Sequence, residues 1–350
     1  MGSGEAISTR GRLRRAVLNP QIAAGVLGAV LVASVVFAVT FGPADITPGE
    51  VWASVLHHLG FGTSPLTELR DGIVWELRMP RVLTAAAVGA GLAVSGAVMQ
   101  ALTRNPLADP YLLGLSSGAS LGAVLVLLLG LALALPVAAF LGALLALGLT
   151  LALAGSLGRI TPSRTVLAGV AVSALASAVT SLVIFWWVTG DSYREILSWL
   201  LGSLAGARWP AVAITFVALL VAGVPIVLSG RTLDAFAFGD TSAATLGINV
   251  QGARWGLLAV TALLTGAMVS VSGAIGFVGL ILPHAVRLLV GPRHRALLPL
   301  VALLGAIFLV WADTLARTAF DPRELPVGIV TAIVGAPVFA WLLATRRDNA

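Results

Sequence analysis

Few side chains in this chain could do acid–base, metal or nucleophilic chemistry. Its 350 residues include 15 carboxylates, four histidines and no cysteine. The histidines are His57, His58, His284 and His294, and none belongs to the H-E-x-x-H pattern that places two zinc ligands on one helix face. No nucleophile elbow or carboxylate pair stands out in the loops. We therefore expect no metal centre and no catalytic machinery, with His284 and His294 at a helix end and in a basic loop.

The types and positions of the basic residues exclude further kinds of chemistry. The chain contains no lysine, so all 21 basic residues are arginines. A Walker A loop needs Gly-Lys-Ser/Thr, so the chain lacks that nucleotide site, and Schiff-base chemistry is excluded. The net charge of +6 could indicate nucleic-acid binding, but the arginines lie in short loops between apolar runs rather than along one face. We expect no nucleic-acid partner, because arginines that flank membrane spans explain the charge.

The elements that must position these side chains are apolar. Hydrophobic residues make up 58% of the chain and charged residues 10%, whereas soluble domains carry about 25% charged residues. About 20 apolar helical residues cross a bilayer core of roughly 30 Å. The uncharged runs that suit one helix each are 21–44, 82–103, 165–190, 209–230, 296–312 and 325–345.

Two longer runs each require a division into two helices. The run over 110–158 has room for two spans with a break near Pro136, since proline removes a backbone donor. The run between Arg254 and Arg287 has arginines at both flanks, so the positive-inside rule requires an even number of crossings, and we divide it near Ser272 and Gly273. The sequence thus predicts an all-α protein with about ten transmembrane helices.

The charge distribution predicts the orientation in the plasma (inner) membrane. With both termini cytoplasmic, fourteen of the 21 arginines lie inside, while ten of the 15 acids lie outside. The first apolar run has 24 residues, longer than the roughly 7–15 of a signal peptide, so we expect a retained helix. We interpret residues 1–350 as one transmembrane domain surrounded by lipid, with a cytoplasmic N-terminal tail over 1–19 and a C-terminal tail over 346–350.

Smaller features complete the expected architecture. Segments 47–59 and 192–204 read as short interfacial helices that could close over the outer mouth. Gly114, Gly118 and Gly122 recur at four-residue spacing, which allows close helix contacts in lipid.

Charged residues at the membrane boundaries allow two readings. Asp313 and Arg317 lie four residues apart at the end of an apolar run and share a helix face. Arg78 and Arg81 flank Pro80 just before the second span. Each set is either ordinary helix-end anchoring or a rigid cationic surface that is offered to the acidic residues of a docking protein.

A stripe of hydroxyl groups runs along the fifth span. Ser173, Ser177, Thr180 and Ser181 fall at i, i+4, i+7 and i+8, which places them on one helix face. The stripe could line a wet pathway for a polar solute. Its hydroxyls could equally bind the carbonyl groups of their own helix.

Several strings together resemble the FecCD-type permease family of type II ABC importers for ferric siderophores, haem and cobalamin. The strings are ELRMPR (76–81), SGAVMQALTRNPLADPYLLGLSSGA (95–119), FGDTSAATLGINV (238–250), GAIGFVGLILPHAVRLLVGPRHR (273–295) and ADTLARTAFDPRELPVGIVTAIVGAPVFAWLL (312–343). The resemblance implies a ten-helix permease that pairs with a second permease subunit around a central pathway. It also implies two cytoplasmic ATPase subunits, which use ATP and Mg, and an extracytoplasmic substrate-binding protein. No cofactor is expected on this chain.

The resemblance also assigns roles to individual residues. Arg78, Arg81 and Arg317 resemble the arginines that meet glutamates of the binding protein. The loop over 231–253 resembles the cytoplasmic coupling loop that contacts the ATPase, with turns at its glycines. The coupling residues are Asp234, Phe238, Gly239, Asp240, Ala244, Leu246 and Gly247. The gate residues are Asn105, Leu107, Pro162 and Ser163, where Pro162 stands in place of a hydroxyl residue that a relative can have.

Two functions from other classes are weighed against an importer permease. An ion-coupled secondary transporter normally needs a carboxylate near mid-membrane, and the apolar runs contain none before Asp313, which lies near an end. A membrane-embedded enzyme would need a metal or nucleophile constellation. Among substrates, the string NPLADPYLLG favours a ferric siderophore, with haem and cobalamin as alternatives.

Overall fold

The structure of the chain is a computed structural model that describes residues 19–347 except 43, 132–134, 157–160, 189, 191 and 321–322. The tail predicted over 1–19 therefore lies almost wholly outside the described residues, as do residues 348–350. All regular elements of the described part are helical. The α-helices are α1 (Pro20–Thr40), α2 (Pro48–His58), α3 (Glu68–Gly72), α4 (Met79–Thr103), α5 (Leu115–Leu128), α6 (Leu135–Ser156), α7 (Pro162–Trp187), α8 (Ser192–Leu200), α9 (Trp209–Ala218), α10 (Val224–Leu228), α11 (Gly230–Ala237), α12 (Asp240–Thr245), α13 (Val250–Ser272), α14 (Val278–Val290), α15 (His294–Thr318) and α16 (Val327–Arg347).

The number of apolar helices agrees with the sequence prediction. Seven helical segments are long and apolar enough to cross a membrane, and three shorter apolar helices bring the number in the described part to ten. The long segments are Pro20–Thr40, Glu68–Thr103, Leu135–Ser156, Ser163–Trp187, Trp209–Leu228, Val250–Ser272 and His294–Thr318. The shorter ones are Leu115–Leu128, Val278–Val290 and Val327–Trp341. The predicted all-α membrane fold is confirmed.

Both predicted divisions of the long apolar runs are confirmed. Helix α5 ends at Leu128 and α6 begins at Leu135, so Pro136 lies in the first turn of α6, where a missing N–H is tolerated. Helix α13 ends at Ser272, and Gly273 follows with φ +65°. A Cβ at Gly273 would overlap the carbonyl of Trp199, so glycine is required for both the backbone angle and the space.

Helix α4 is the central helix of the bundle. It continues a helical segment that begins at Glu68 and includes a π-helical stretch over Ile73–Arg78. In the most apolar 18 residues of this segment, 94% of the residues are buried inside the protein, compared with 17% of the residues in the corresponding part of α1. At about 1.5 Å per residue its 36 residues span about 54 Å, so its first turns extend beyond the hydrocarbon layer.

Close helix contacts in this bundle depend on glycine. A Cβ at Gly118 would overlap the carbonyl of Gly142, and one at Gly122 would overlap the carbonyl of Ala138, so α5 and α6 touch through their backbones. The predicted role of these two glycines is confirmed. Gly114 differs, because it precedes α5 with φ +81° and ends the 3₁₀ turn Pro110–Leu113.

The bundle has two functional ends, which we call the α2 face and the α12 face. The α2 face carries α2 and α8, which form where interfacial helices are predicted. Helix α2 begins with a capping box, in which Glu50 accepts from the backbone N–H of Thr47 at 2.8 Å. The α12 face carries α11 and α12. Helices α4 and α15 run between the two faces in opposite directions.

Candidate docking faces and gate

Arg81 lies in the centre of a buried ion network at the α2 face. From the start of α4 it donates to both carboxylate oxygens of Asp313 on α15 at 3.0–3.1 Å. Its Nη1 donates to Glu324 at 2.6 Å. This pairing connects α4, α15 and the segment before α16.

Arg78 and Arg317 bind backbone carbonyl groups beside this network. Arg78 donates to the carbonyls of Thr40 and Ala44 at 3.1 and 2.8 Å. Arg317 donates to the carbonyl of Ala38, and its Nε has no hydrogen-bond partner among the described residues. Among the described residues, three guanidiniums therefore face two carboxylates at this end of the bundle.

The accessibility of these arginines differs from the sequence expectation. One of the two readings from the sequence is a cationic surface that is open to a partner, whereas Arg78, Arg81 and Arg317 are all buried. They line a cavity of about 360 Å³, together with the exposed residues Arg208 and Glu324. The cavity, rather than a flat surface, is the place where an acidic partner could reach them. Their docking role stays a prediction.

The Asp313–Arg317 pair is present but is not the main contact. The two residues share a face of α15 as predicted, with Arg317 Nε 3.9 Å from Asp313 Oδ2. Asp313 lies closer to Arg81, a residue 232 positions away in the sequence. The sequence spacing identified the helical neighbour and missed the stronger partner, because a contact between distant segments has no local signal.

The segment over 231–253, to which the resemblance assigns ATPase coupling and which we call the coupling segment, presents apolar side chains outwards at the α12 face. Phe238 is 79% exposed and Leu246 is 70% exposed, and Ala244 is exposed between them. Gly239 and Gly247 have φ of +98° and +79°, so the predicted turns at both glycines are confirmed. The exposed residues lie on the short helix α12 and its two flanking turns.

Two carboxylates attach the coupling segment to the membrane helices. Asp240 accepts from Arg254 of α13 at 2.7 Å, and the guanidinium of Arg254 lies 5.3 Å from the ring centre of Phe236. The Arg254 hydrogen bond holds the pKa of Asp240 below its usual value. Asp234 of α11 accepts from the backbone N–H and from Nδ1 of His294 at 2.7 and 2.8 Å.

The histidines lie in different places from those expected. His294 is the buried first residue of α15 rather than part of a loop, and His284 lies inside α14 rather than at its end. His58 binds Asp71 at 2.7 Å and stacks on Trp75. In the part of the chain that the structure describes, no group of three His, Asp or Glu side chains could hold a metal ion.

The predicted gate segments lie on exposed turns. The Asn105 side chain accepts from the backbone N–H of Leu107 at 2.9 Å, which fixes the turn after α4. Ser163 is exposed in the first turn of α7. Pro162 is the first residue of that helix, and its side chain lies outside the described part. Gating by these four residues stays a prediction.

The hydroxyl stripe divides into two kinds of residue. Thr180 is buried and donates to the carbonyl of Ala176 in its own helix at 2.8 Å. Ser177 and Ser181 are exposed on α7, and Ser173 is half-buried. The alternative of back-bonding therefore holds for Thr180, while the exposed serines remain candidates for a pathway.

This architecture defines a multi-pass helical membrane protein, whose central helix is enclosed by other helices and whose two ends differ in polarity. The model of the FecCD transport family matches residues 30–345, so the chain belongs to that family. It is 42% identical over 349 residues to the uncharacterized ABC transporter permease protein YvrB of Bacillus subtilis, covering 97% of each chain. It is 43% identical to the vitamin B12 import system permease protein BtuC of Vibrio cholerae, covering 86% of this chain and 89% of the relative.

Further similarities support the same classification. The hemin transport system permease protein HmuU of Yersinia pestis is 39% identical, with 83% of this chain and 90% of the relative covered. A solved structure of a metal-chelate type ABC transporter in an inward-facing conformation matches with a TM-score of 0.80 at 31% identity, over 93% of this chain and all of the other. The chain is thus an ABC importer permease, a membrane translocation subunit rather than an enzyme.

Proposed function

We propose that this chain forms the membrane pathway of an ABC importer for a large metal chelate, together with a second permease subunit. The α12 face lies in the cytoplasm, as do both termini, and the α2 face lies outside the plasma membrane. The observation that carries the proposal is that an arginine-lined cavity and an exposed apolar surface lie at opposite ends of α4 and α15.

The α2 face suits an acidic docking protein. Its cavity is lined by four arginines and one glutamate, which gives it a net positive charge. Carboxylates of a substrate-binding protein would be attracted to this charge and could form bidentate contacts with the guanidiniums. Glu324 is exposed, so a partner's carboxylate can compete with it for Arg81 without opening the protein core.

The α12 face suits a cytoplasmic ATPase subunit. Exposed Phe238 and Leu246 are large apolar anchors of the kind that fill pockets in a protein partner. ATP and Mg are used by that subunit, and this chain binds no cofactor. The exposed gate residues Asn105 and Leu107 follow α4 at the same end.

The names of the relatives favour a tetrapyrrole-type chelate. The permeases BtuC and HmuU are named for vitamin B12 and hemin, and they are about as similar to this chain as the uncharacterized YvrB. This favours cobalamin or haem over the ferric siderophore that the sequence analysis expects first. An ion-coupled transporter is less favoured, because Asp313 near the end of α15 is bound to Arg81.

The substrate is tested by reconstituting the chain with an ATPase subunit and a substrate-binding protein from the same cells. ATP hydrolysis is measured with the binding protein loaded with cobalamin, haem or a ferric siderophore. We expect one of the first two to stimulate hydrolysis. Stimulation by the siderophore alone would contradict the tetrapyrrole assignment, and no stimulation by any loaded protein would contradict the importer.

The two faces are tested by separate variants. Replacing Arg208, the exposed arginine of the cavity, by glutamate should reduce uptake while the chain still inserts in the membrane, whereas Arg194→Glu on exposed α8 is the matched control. Deleting 241–247 should prevent co-purification of the ATPase. Normal uptake by Arg208→Glu, or unchanged co-purification by the deletion, would contradict the corresponding docking role.

A further inference from the structure

One pair of helices connects the two docking faces directly. Helix α15 begins with His294 at the α12 face and ends with Thr318 at the α2 face, and its 25 residues span about 37 Å. Helix α4 runs in the opposite direction over Met79–Thr103 and packs along α15. The surfaces proposed for both partners therefore lie next to the ends of the same two helices.

The two helices are fixed to each other at the α2 face. Arg81 at the start of α4 and Asp313 near the end of α15 form a bidentate ion pair in a buried environment. A buried pair of this kind resists separation, because each partner would become an unpaired buried charge. The outer ends of α4 and α15 must therefore move together.

Their middle parts are in direct backbone contact. A Cβ at Gly89 of α4 would overlap the carbonyl of Gly305, and a Cβ at Gly305 would overlap the carbonyl of Gly89. Closely packed interfaces of this kind are discrete rather than continuously deformable. The pair is therefore expected to respond as one rigid unit.

The α12 end of the pair is attached to the coupling segment. Asp234 of α11 accepts from the free N–H of His294, so it caps the N-terminus of α15 from another helix. It also accepts from Nδ1 of the His294 ring. Gly230, the first residue of α11, lies so close to Arg295 that a Cβ there would be 2.9 Å from its backbone. A displacement of α11 would thus act on the first turn of α15.

We propose that α15, held rigid against α4, transmits the ATPase-driven displacement of α11 to the arginine-lined cavity, and that His294 and Gly305 are the positioning residues of this link. This inference rests on the proposed function, and it identifies the helices that connect the ATPase-binding segment to the arginine-lined cavity. Arg254 of α13 binds Asp240 of α12 and lies over the ring of Phe236 of α11, so α13, which ends beside α8, is a second connection from the same segment.

The test measures the coupling between the two faces. The affinity of the loaded binding protein for the complete transporter is determined without nucleotide and with a non-hydrolysable ATP analogue and Mg. The ratio of the two dissociation constants is the coupling factor, which is typically about 5–150-fold in allosteric proteins. We expect His294→Leu to reduce this coupling factor about fivefold, because about 1 kcal/mol, the net contribution of one hydrogen bond, corresponds to that change in an equilibrium constant.

Two further variants separate transmission from stability. His294→Asn retains a side-chain donor for Asp234 and should restore most of the coupling factor. Gly305→Ala should reduce the factor, whereas Gly148→Ala, where a Cβ meets nothing within 4 Å, should leave it at the wild-type value.

The outcomes distinguish the inference from the function on which it rests. A wild-type coupling factor in both His294→Leu and Gly305→Ala would overturn the link while the importer stands. An equal loss in Gly148→Ala, or no rescue by His294→Asn, would also overturn it. A wild-type transporter that binds neither partner would instead contradict the proposed function.

Discussion

The substitution Asp313→Asn tests whether the buried ion network stabilises the fold. The side chain of Asp313 is 1% exposed and accepts three contacts of 3.0–3.1 Å from Arg81. Asparagine has nearly the same shape but no charge. In the part of the chain that the structure describes, the change therefore leaves the buried guanidiniums of Arg78, Arg81 and Arg317 with Glu324 as their remaining carboxylate.

The expected magnitude follows from the burial of each carboxylate. Removing one partner of a buried pair costs about 3–5 kcal/mol, and we expect about 3 kcal/mol because asparagine retains one acceptor. The Glu324 side chain is 35% exposed, and pairs at such positions contribute about 0.2–1 kcal/mol. Glu324→Gln is thus the matched control, since it removes the other carboxylate from the same Arg81.

The assay is reversible unfolding in mixed micelles, with increasing SDS and detection by tryptophan fluorescence from the nine tryptophans. A loss of about 3 kcal/mol is a large share of a typical stability of about 5–15 kcal/mol. In a double-mutant cycle, Arg81→Gln with Asp313→Asn should cost less than the sum of the single changes. Equal losses for Asp313→Asn and Glu324→Gln would refute the reasoning.

Three further predictions concern packing, docking and pH. Gly96→Val should destabilise the protein by about 1–3 kcal/mol in the same assay, because a Cβ there overlaps a backbone carbonyl of α14, whereas Gly148→Val should have little effect. Phe238→Asp should weaken binding of the ATPase about tenfold or more by titration, and unchanged affinity would contradict the apolar docking surface. Because Arg254 lowers the pKa of Asp240, their bridge is complete above the usual aspartate pKa of about 3.9 and is lost only as the pH falls through the lower folded value. Retention of the ATPase should therefore be constant between about pH 5 and 8. A pH-dependent loss of the ATPase with its midpoint near neutrality would contradict this prediction.

Much of the membrane fold could be predicted from sequence, because it depends on local properties. Apolar length defines each helix, and the arginines on both sides of the run from Arg254 to Arg287 require two crossings. The loop at Ser272 and Gly273 confirms that division. The continuation of the second span back to Glu68 was not predicted, because its first turns carry charged residues that end an apolar run.

The candidate site was predictable in its residue types and less so in its contacts. The pattern around Pro80 identified Arg78 and Arg81 as unusual, but their burial depends on Asp313 and on carbonyls of the segment after α1. The basic neighbours of His294 predict a loop at this position, whereas it begins α15. Its partner Asp234 lies 60 residues away, and such a pairing has no local signature.

The shielding of α4 has a consequence for hydrophobic mismatch. Bilayer thickness acts on helices that touch lipid, which respond by tilting or by deforming the membrane around them. Helix α1 is exposed at the outside of the bundle along most of its length, while α4 is enclosed by other helices. In a thinner or thicker membrane, the peripheral helices would tilt, and the centre of the permease would keep its geometry.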